Sequence, residues 1–108
     1  MIEIEIIANK WQEFDTTIND KSWLLDIILN EIDSMFYISF KQFDQDGNIV
    51  VVQGFTKILN KELILKGWTG QVGNFTAIAT NKEVYQPNDV SSFVNDFSFL
   101  YLNEQELK

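Results

Sequence analysis

The chain contains no cysteine, no histidine and no arginine, and Pro87 is its one proline. Each absence closes a class of chemistry. Without cysteine there is no disulfide framework and no thiolate metal centre, so the sequence is indifferent to redox compartment. Without histidine and cysteine there is no Ser-His or Cys-His nucleophile, no imidazole acid or base, and no zinc or iron site of the usual composition. Without arginine there is no planar fork to clamp phosphate or carboxylate at two points. Around Gly67, Gly70 and Gly73 neither GxGxxG nor GxxxxGK[ST] occurs, so these glycines are not a phosphate loop. Apolar runs are too short to span a bilayer. Residues 1–5 lack the basic and then apolar texture of a secretion signal, and a cytoplasmic location is expected.

What remains is apolar and acidic. The 108 residues are 45% hydrophobic and 14% aromatic, which suits a single domain, 1–108, with one core. Sixteen acidic residues stand against eight lysines, for a formal net charge of -8. The excess is lopsided: residues 1–54 hold ten acids and three lysines, and residues 55–108 hold six acids and five lysines. Such a field repels nucleic acid and anionic membrane and attracts basic proteins, although acidity also serves solubility alone. The lysines are scattered and form no basic stripe, so neither a nucleic-acid nor a membrane partner is expected.

Along the chain, Ile2, Ile4 and Ile6 alternate with Glu3 and Glu5, the period of a half-buried strand. Residues 9–19 are ambiguous, since Trp11, Phe14 and Ile18 have helical spacing while Thr16-Thr17-Ile18 is β-branched; a short helix or an irregular loop is expected. Asn19 or Asp20 can cap a helix over 21–33, with Leu25, Ile28, Leu29 and Ile32 as its apolar stripe and Asp26, Asn30 and Asp33 opposite. Strands are predicted over 36–43, 49–58, 62–68, 75–80 and 83–85, then a brief helix after Pro87 capped by Asn88 or Asp89, then a strand over 98–102. A run of strands that does not alternate with helices predicts an α+β fold. Its antiparallel meander would have about five or six strands, with one main amphipathic helix on a face and a short C-terminal helix.

Three features invite a functional reading. The stretch Asp44-Gln45-Asp46-Gly47-Asn48 resembles the start of a calcium loop, but position 6 counted from Asp44 is Ile49 and position 12 is Phe55, where glycine and a bidentate glutamate are required. It fits a hairpin better, with Gln45-Asp46-Gly47 as the loop, Gly47 at positive φ, Asp44 facing Asn48, Phe40 opposite Val52 and Ile38 opposite Gly54. Phe36, Ile38, Phe40, Val50 and Val52 then share one buried face. Paired acids such as Asp26 with Asp33, or Glu31 with Asp33, could in principle serve acid-base work. A solvated helix face explains them more simply, and no enzyme, cofactor or metal is expected. Trp68, beside glycine, suits either an exposed anchor or a core plug at a strand end, and Trp23 lies off the helix stripe and so suits partial exposure.

In its length, one-sided acidity and lack of catalytic side chains the chain resembles bacterial toxin-immunity proteins of the contact-dependent inhibition type. Glu13, Asp15, Asp20, Asp26, Glu31, Asp33, Asp44 and Asp46 carry this resemblance. It implies a small binding protein, monomer or weak dimer, whose acidic surface steers onto a basic partner such as a nuclease toxin and occludes its cleft. Trp23 and Trp68 would add apolar contacts there. Two other classes fit the composition: a phage-type mimic of nucleic acid, as in anti-restriction or anti-CRISPR inhibitors, and a structural or assembly domain. For the calcium question a thermal melt decides, because an ion bound only by the native state must raise the midpoint. The same midpoint is expected with and without millimolar calcium, and a rise would restore the ion site.

Overall fold

Trp23-Leu24-Leu25-Asp26-Ile27-Ile28-Leu29 is an apolar run broken once, and such a run suits either a buried helix or a strand covered on both faces. In the computed structural model it is a strand. The structure describes residues 2–18, 21–65, 73–80, 86, 87, 89–103 and 106. In chain order the elements are β1 (Ile2–Glu3), β2 (Trp11–Ile18), β3 (Lys21–Asn30), β4 (Met35–Phe43), β5 (Ile49–Lys57), β6 (Asn74–Ala79), α1 (Val90–Asn95) and β7 (Phe97–Leu102). They make a four-stranded sheet, β2-β3-β4-β5, and a three-stranded sheet, β1-β7-β6, with every strand pair antiparallel.

The expected α+β fold is therefore corrected to a mostly β architecture with one short helix among the described residues. The helical spacing of Leu25, Ile28, Leu29 and Ile32 is a coincidence of a nearly continuous apolar run, which satisfies any period. Pairing decides instead: β3 lies between β2 and β4, so its backbone is bonded along both edges. The would-be last turn of the helix is the β3–β4 turn. There Asn30 Oδ1 accepts from the Ile32 amide, Asp33 Oδ1 accepts from the Met35 amide, and Ser34 takes φ 57°. These are the short polar side chains that favour turns over helix interiors. Ile32, assigned to the apolar stripe, sits at the tip and is 97% exposed. Residues 11–18, expected as helix or loop, form β2 in full register with β3.

The two sheets face each other across an aromatic layer. Trp23, 1% exposed, meets Phe75 edge-on at 5.2 Å and Phe40 at 6.2 Å, and Phe75 stacks on Phe99 at 6.0 Å. Phe36, Ile38 and Phe40 are fully buried as expected, whereas Val50, in its expected register opposite Gln42, is exposed. Farther along, bulges on β5 set Gln53 against Phe40 and Thr56 against Ile38 in place of Val52 and Gly54. Helix α1 closes one end. Asp89 caps it by accepting from the Ser92 amide at 2.6 Å, and Phe93 packs on Phe36 with ring centroids 4.5 Å apart.

The expected strand over 62–68 is not a regular strand where it is described. Residues 60–65 instead run beside β6: the Ile64 amide donates to the Phe75 carbonyl, Asn74 Nδ2 donates to the Leu65 carbonyl, and Thr76 Oγ1 donates to the Glu62 carbonyl. Trp68, Asp20 and the expected 83–85 strand lie outside the described residues. Two glycines differ in what holds them. Gly47 has φ 81° with open space around a would-be Cβ; Gly73 has φ 79°, and its Cβ would fall 2.2 Å from the Leu102 carbonyl oxygen. Gly47→Ala should cost about 1–2 kcal/mol for the left-handed conformation alone. Gly73→Ala should cost roughly 3–5 kcal/mol, because backbone must also move. Urea unfolding of the two variants checks the order.

Candidate functional site

Strand alternation sets two faces on the four-stranded sheet. Gln12, Phe14, Trp23, Leu25, Ile27, Phe36, Ile38 and Phe40 turn inward. The alternate positions turn outward, and cross-strand register arranges them in rows. One row runs Trp11, Ile28, Tyr37 and Lys57; the next runs Glu13, Asp26 and Ser39; a third runs Asp15, Leu24, Lys41 and Val51. This outer face carries more large apolar side chains than solvation of a sheet requires: Trp11 is 61% exposed, Val51 62% and Phe55 52%, with Phe43 and Ile49 also exposed. Trp11, Ile28, Tyr37 and Phe55 line a shallow depression that Lys10 and Glu31 share.

Charges border and interrupt this apolar surface. Lys10 pairs with Glu31, whose carboxyl is held below its ordinary value by the hydrogen bond and charge of that lysine. Asp33 accepts the Tyr37 hydroxyl proton in a hydrogen bond and lies 3.6 Å from Lys57 Nζ. The Tyr37 hydrogen bond, first, then the Met35 amide and Lys57, keep the Asp33 carboxyl low, and the same Asp33 contact raises the Tyr37 hydroxyl. In the middle of the face Asp26, with its side chain only 9% exposed, meets Lys41 Nζ through Oδ2 at 3.2 Å. Its cross-strand neighbour Glu13 is held above its ordinary value. The causes are the hydrogen bond that a shared proton makes to Asp26, then like-charge repulsion from Asp26, with Lys41 pulling the other way. Asp26 Oδ1 and Ser39 Oγ are buried and have no hydrogen-bond partner among the described residues.

The acids expected to act together are thus divided. Glu13, Asp15 and Asp26 share the outer face, Glu31 and Asp33 sit in the β3–β4 turn, and Asp44 and Asp46 sit in the β4–β5 turn. Asp44 is used by its own loop: Oδ1 accepts from the Asp46 and Asn48 amides, and the Asp44 amide donates to the Asn48 carbonyl at 2.9 Å, as the hairpin reading requires. The acidic helix face does not exist, because there is no helix there to present it. Trp23, expected to be partly exposed, is a core residue. Trp11, to which the sequence assigned no role, is the exposed tryptophan of the face; alternation with Gln12, Phe14 and Ile18 was the signal that could have placed it.

A family model described as cyanophage baseplate Pam3 plug gp18 matches residues 1–104, and the chain belongs to that family. No curated protein matches the chain. The family match overturns the resemblance to toxin-immunity proteins and, with it, the expected toxin partner. Of the classes that composition allowed, the structural or assembly domain is the one this family supports.

The pair of carboxyls gives a pH signature of defined sign. Glu13 is raised in the folded chain, so it contributes stability that is present below its unfolded value and lost as pH rises through its folded value. Glu31 and Asp33 are lowered and work oppositely, losing their contribution as pH falls through their folded values. Glu13→Gln is therefore expected to raise the thermal midpoint at pH 7. The gain should vanish in acid below the carboxylate range, where wild-type Glu13 is itself neutral. A gain that persists there would show that charge is not the cause.

Proposed function

We propose that the chain is a structural component of a phage baseplate, held between neighbouring subunits and acting by occupying space, as a plug does. The observation that carries this is the family match over residues 1–104. Two features of the chain support it. The side-chain inventory offers no Ser-His or Cys-His pair, so the reading assigns binding and no catalysis. The outer face of the β2-β3-β4-β5 sheet presents Trp11, Phe55 and Val51 among charged residues, a mixture of large apolar and polar side chains that protein interfaces use. Under this reading that face packs on an adjacent baseplate subunit. The chain contributes rigidity through its aromatic core and specificity through the outer rows.

The test is composition of the particle. Mass spectrometry of tailed particles from the phage or prophage that encodes the chain should detect it in purified, washed preparations. Complete and infective particles that lack it would exclude the reading. Within such particles, Trp11→Ala combined with Phe55→Ser should lower incorporation by about 30-fold, the effect of losing roughly 2 kcal/mol at an interface centre. The thermal midpoint of the isolated variant should move little, since neither side chain is in the core.

A further inference from the structure

The row Glu13, Asp26, Ser39 crosses three adjacent strands of the outer face and is incompletely satisfied. Asp26 is Cα partner to Glu13 on one side and to Ser39 on the other. Lys41 answers one oxygen of Asp26 and supplies one positive charge against two carboxylates. The other oxygen, Asp26 Oδ1, and the neighbouring Ser39 Oγ are buried without a hydrogen-bond partner among the described residues. Ser39 is 3% exposed, so its hydroxyl does not simply rotate into bulk solvent. In this row, then, two carboxyls stand against one lysine, and Asp26 Oδ1 and Ser39 Oγ are buried without a donor from the rest of the described chain.

We infer that this row receives one basic side chain, a guanidinium or an ammonium, projected by a neighbouring subunit and seated over Asp26 between Glu13 and Ser39. The identification of that neighbour as a baseplate subunit rests on the function proposed above; the cation site itself does not. The chemistry fits point by point. Adjacent strands lie about 4.8 Å apart, and a guanidinium carries five donors in a planar fork, so it reaches acceptors on more than one strand. Its N–H groups donate to a Glu13 oxygen and, as Glu13 turns from its contact with Asp26 toward the newcomer, to Asp26 Oδ1, which is buried in the free chain; both partners of these bonds are charged, and the bonds are stronger for it. A further N–H donates to Ser39 Oγ. The next row supplies Trp11, Ile28 and Tyr37, apolar surface on which the stem of a long basic side chain lies while its head reaches the carboxyls. The other charged groups of the face do not compete: Asp15 adds to the attraction, and Lys57 sits over Tyr37 and near Asp33 in the opposite corner. One basic side chain is enough, and nothing is required of the partner's overall charge.

Nuclear magnetic resonance on the intact chain tests the site without the partner. With N-acetyl-arginine amide as the probe, saturable shifts are expected at the amides of Glu13, Asp26, Ser39 and Lys41. Glu13→Gln, a change on an edge strand that leaves the core intact, should weaken the probe at least tenfold. No saturable response, or equal response in Glu13→Gln, would overturn the site. Calcium chloride at matched ionic strength is the second arm, and tighter saturation of the same amides by calcium than by the probe would overturn the assignment to a basic side chain. In particles, Glu13→Lys should lower incorporation about tenfold or more relative to wild type. Equal incorporation of the two removes the site from assembly and overturns the inference, whereas absence of the wild-type chain from particles rejects the baseplate reading alone and leaves the probe result standing.

Discussion

The contact of Trp23 and Phe40 with Phe75 joins the two sheets, and the rest of the molecule is arranged around it. Once Trp23 points inward on a strand, Leu25 and Ile27 follow it, and Leu24, Asp26 and Ile28 must point the other way, because side chains alternate at a period of two. The location of Asp26 on the outer face is therefore a consequence of core packing. Its burial there has the same origin. β3 is flanked on both sides, so outward residues at its centre are shielded by side chains of β2 and β4 even where no second layer covers them.

Where local chemistry dominates, the sequence was readable. The 43–49 hairpin is dictated by one glycine at positive φ and one aspartate whose carboxylate accepts the loop amides, both visible in the residues themselves. The Asp89 cap and the short helix after Pro87 were readable for the same reason. β4, β6 and β7 were marked by β-branched and aromatic residues. Residues 21–30 satisfy a helix as readily as a strand, because an almost unbroken apolar run carries no period, and what makes the run a strand is pairing on both edges, with β2 and β4. β2 is obscured by the same dependence: Trp11, Phe14 and Ile18 imitate a helix, and pairing with β3 selects the alternation of Gln12, Phe14 and Ile18 as one face. The candidate site suffered in proportion. Glu13 and Asp26 were both singled out, but their adjacency is a fact of register, and no spacing along the chain encodes it.

The two edges of the four-stranded sheet are treated differently. β2 carries Glu13 and Asp15, and charge on an edge strand discourages pairing with another chain. β5 carries no charged residue from Ile49 to Thr56, and its protection is geometric: bulges opposite Ile38–Lys41 break the ladder and re-aim the strand. Those bulges also turn Phe55 toward Tyr37 and Ile28, where it joins the depression with Trp11. The irregularity that blunts the edge thus helps build the apolar part of the outer face. Against such a surface a partner gains area from side chains and needs no strand-to-strand pairing.

A chain under selection for stability alone would not keep two carboxyls side by side when a glutamine at position 13 removes the repulsion. The pair makes sense if the isolated state is not the working state. Repulsion between Glu13 and Asp26, and the unused acceptor on Asp26, raise the free energy of the lone chain, and both are relieved when a cation arrives. Relief of that kind adds to binding without adding contact area, and it discriminates: an apolar or acidic side chain of similar size buries the same surface but leaves the carboxyls unanswered. Lys41 limits the strain, since it pairs with one oxygen of Asp26 and leaves Glu13 to be answered from outside. The same logic explains why the acid that matters is Glu13 on the edge strand and not Asp26 beneath it. An edge position can be exposed in the free chain and covered in the assembly, whereas a central, shielded position must be satisfied, at least in part, before any partner is present.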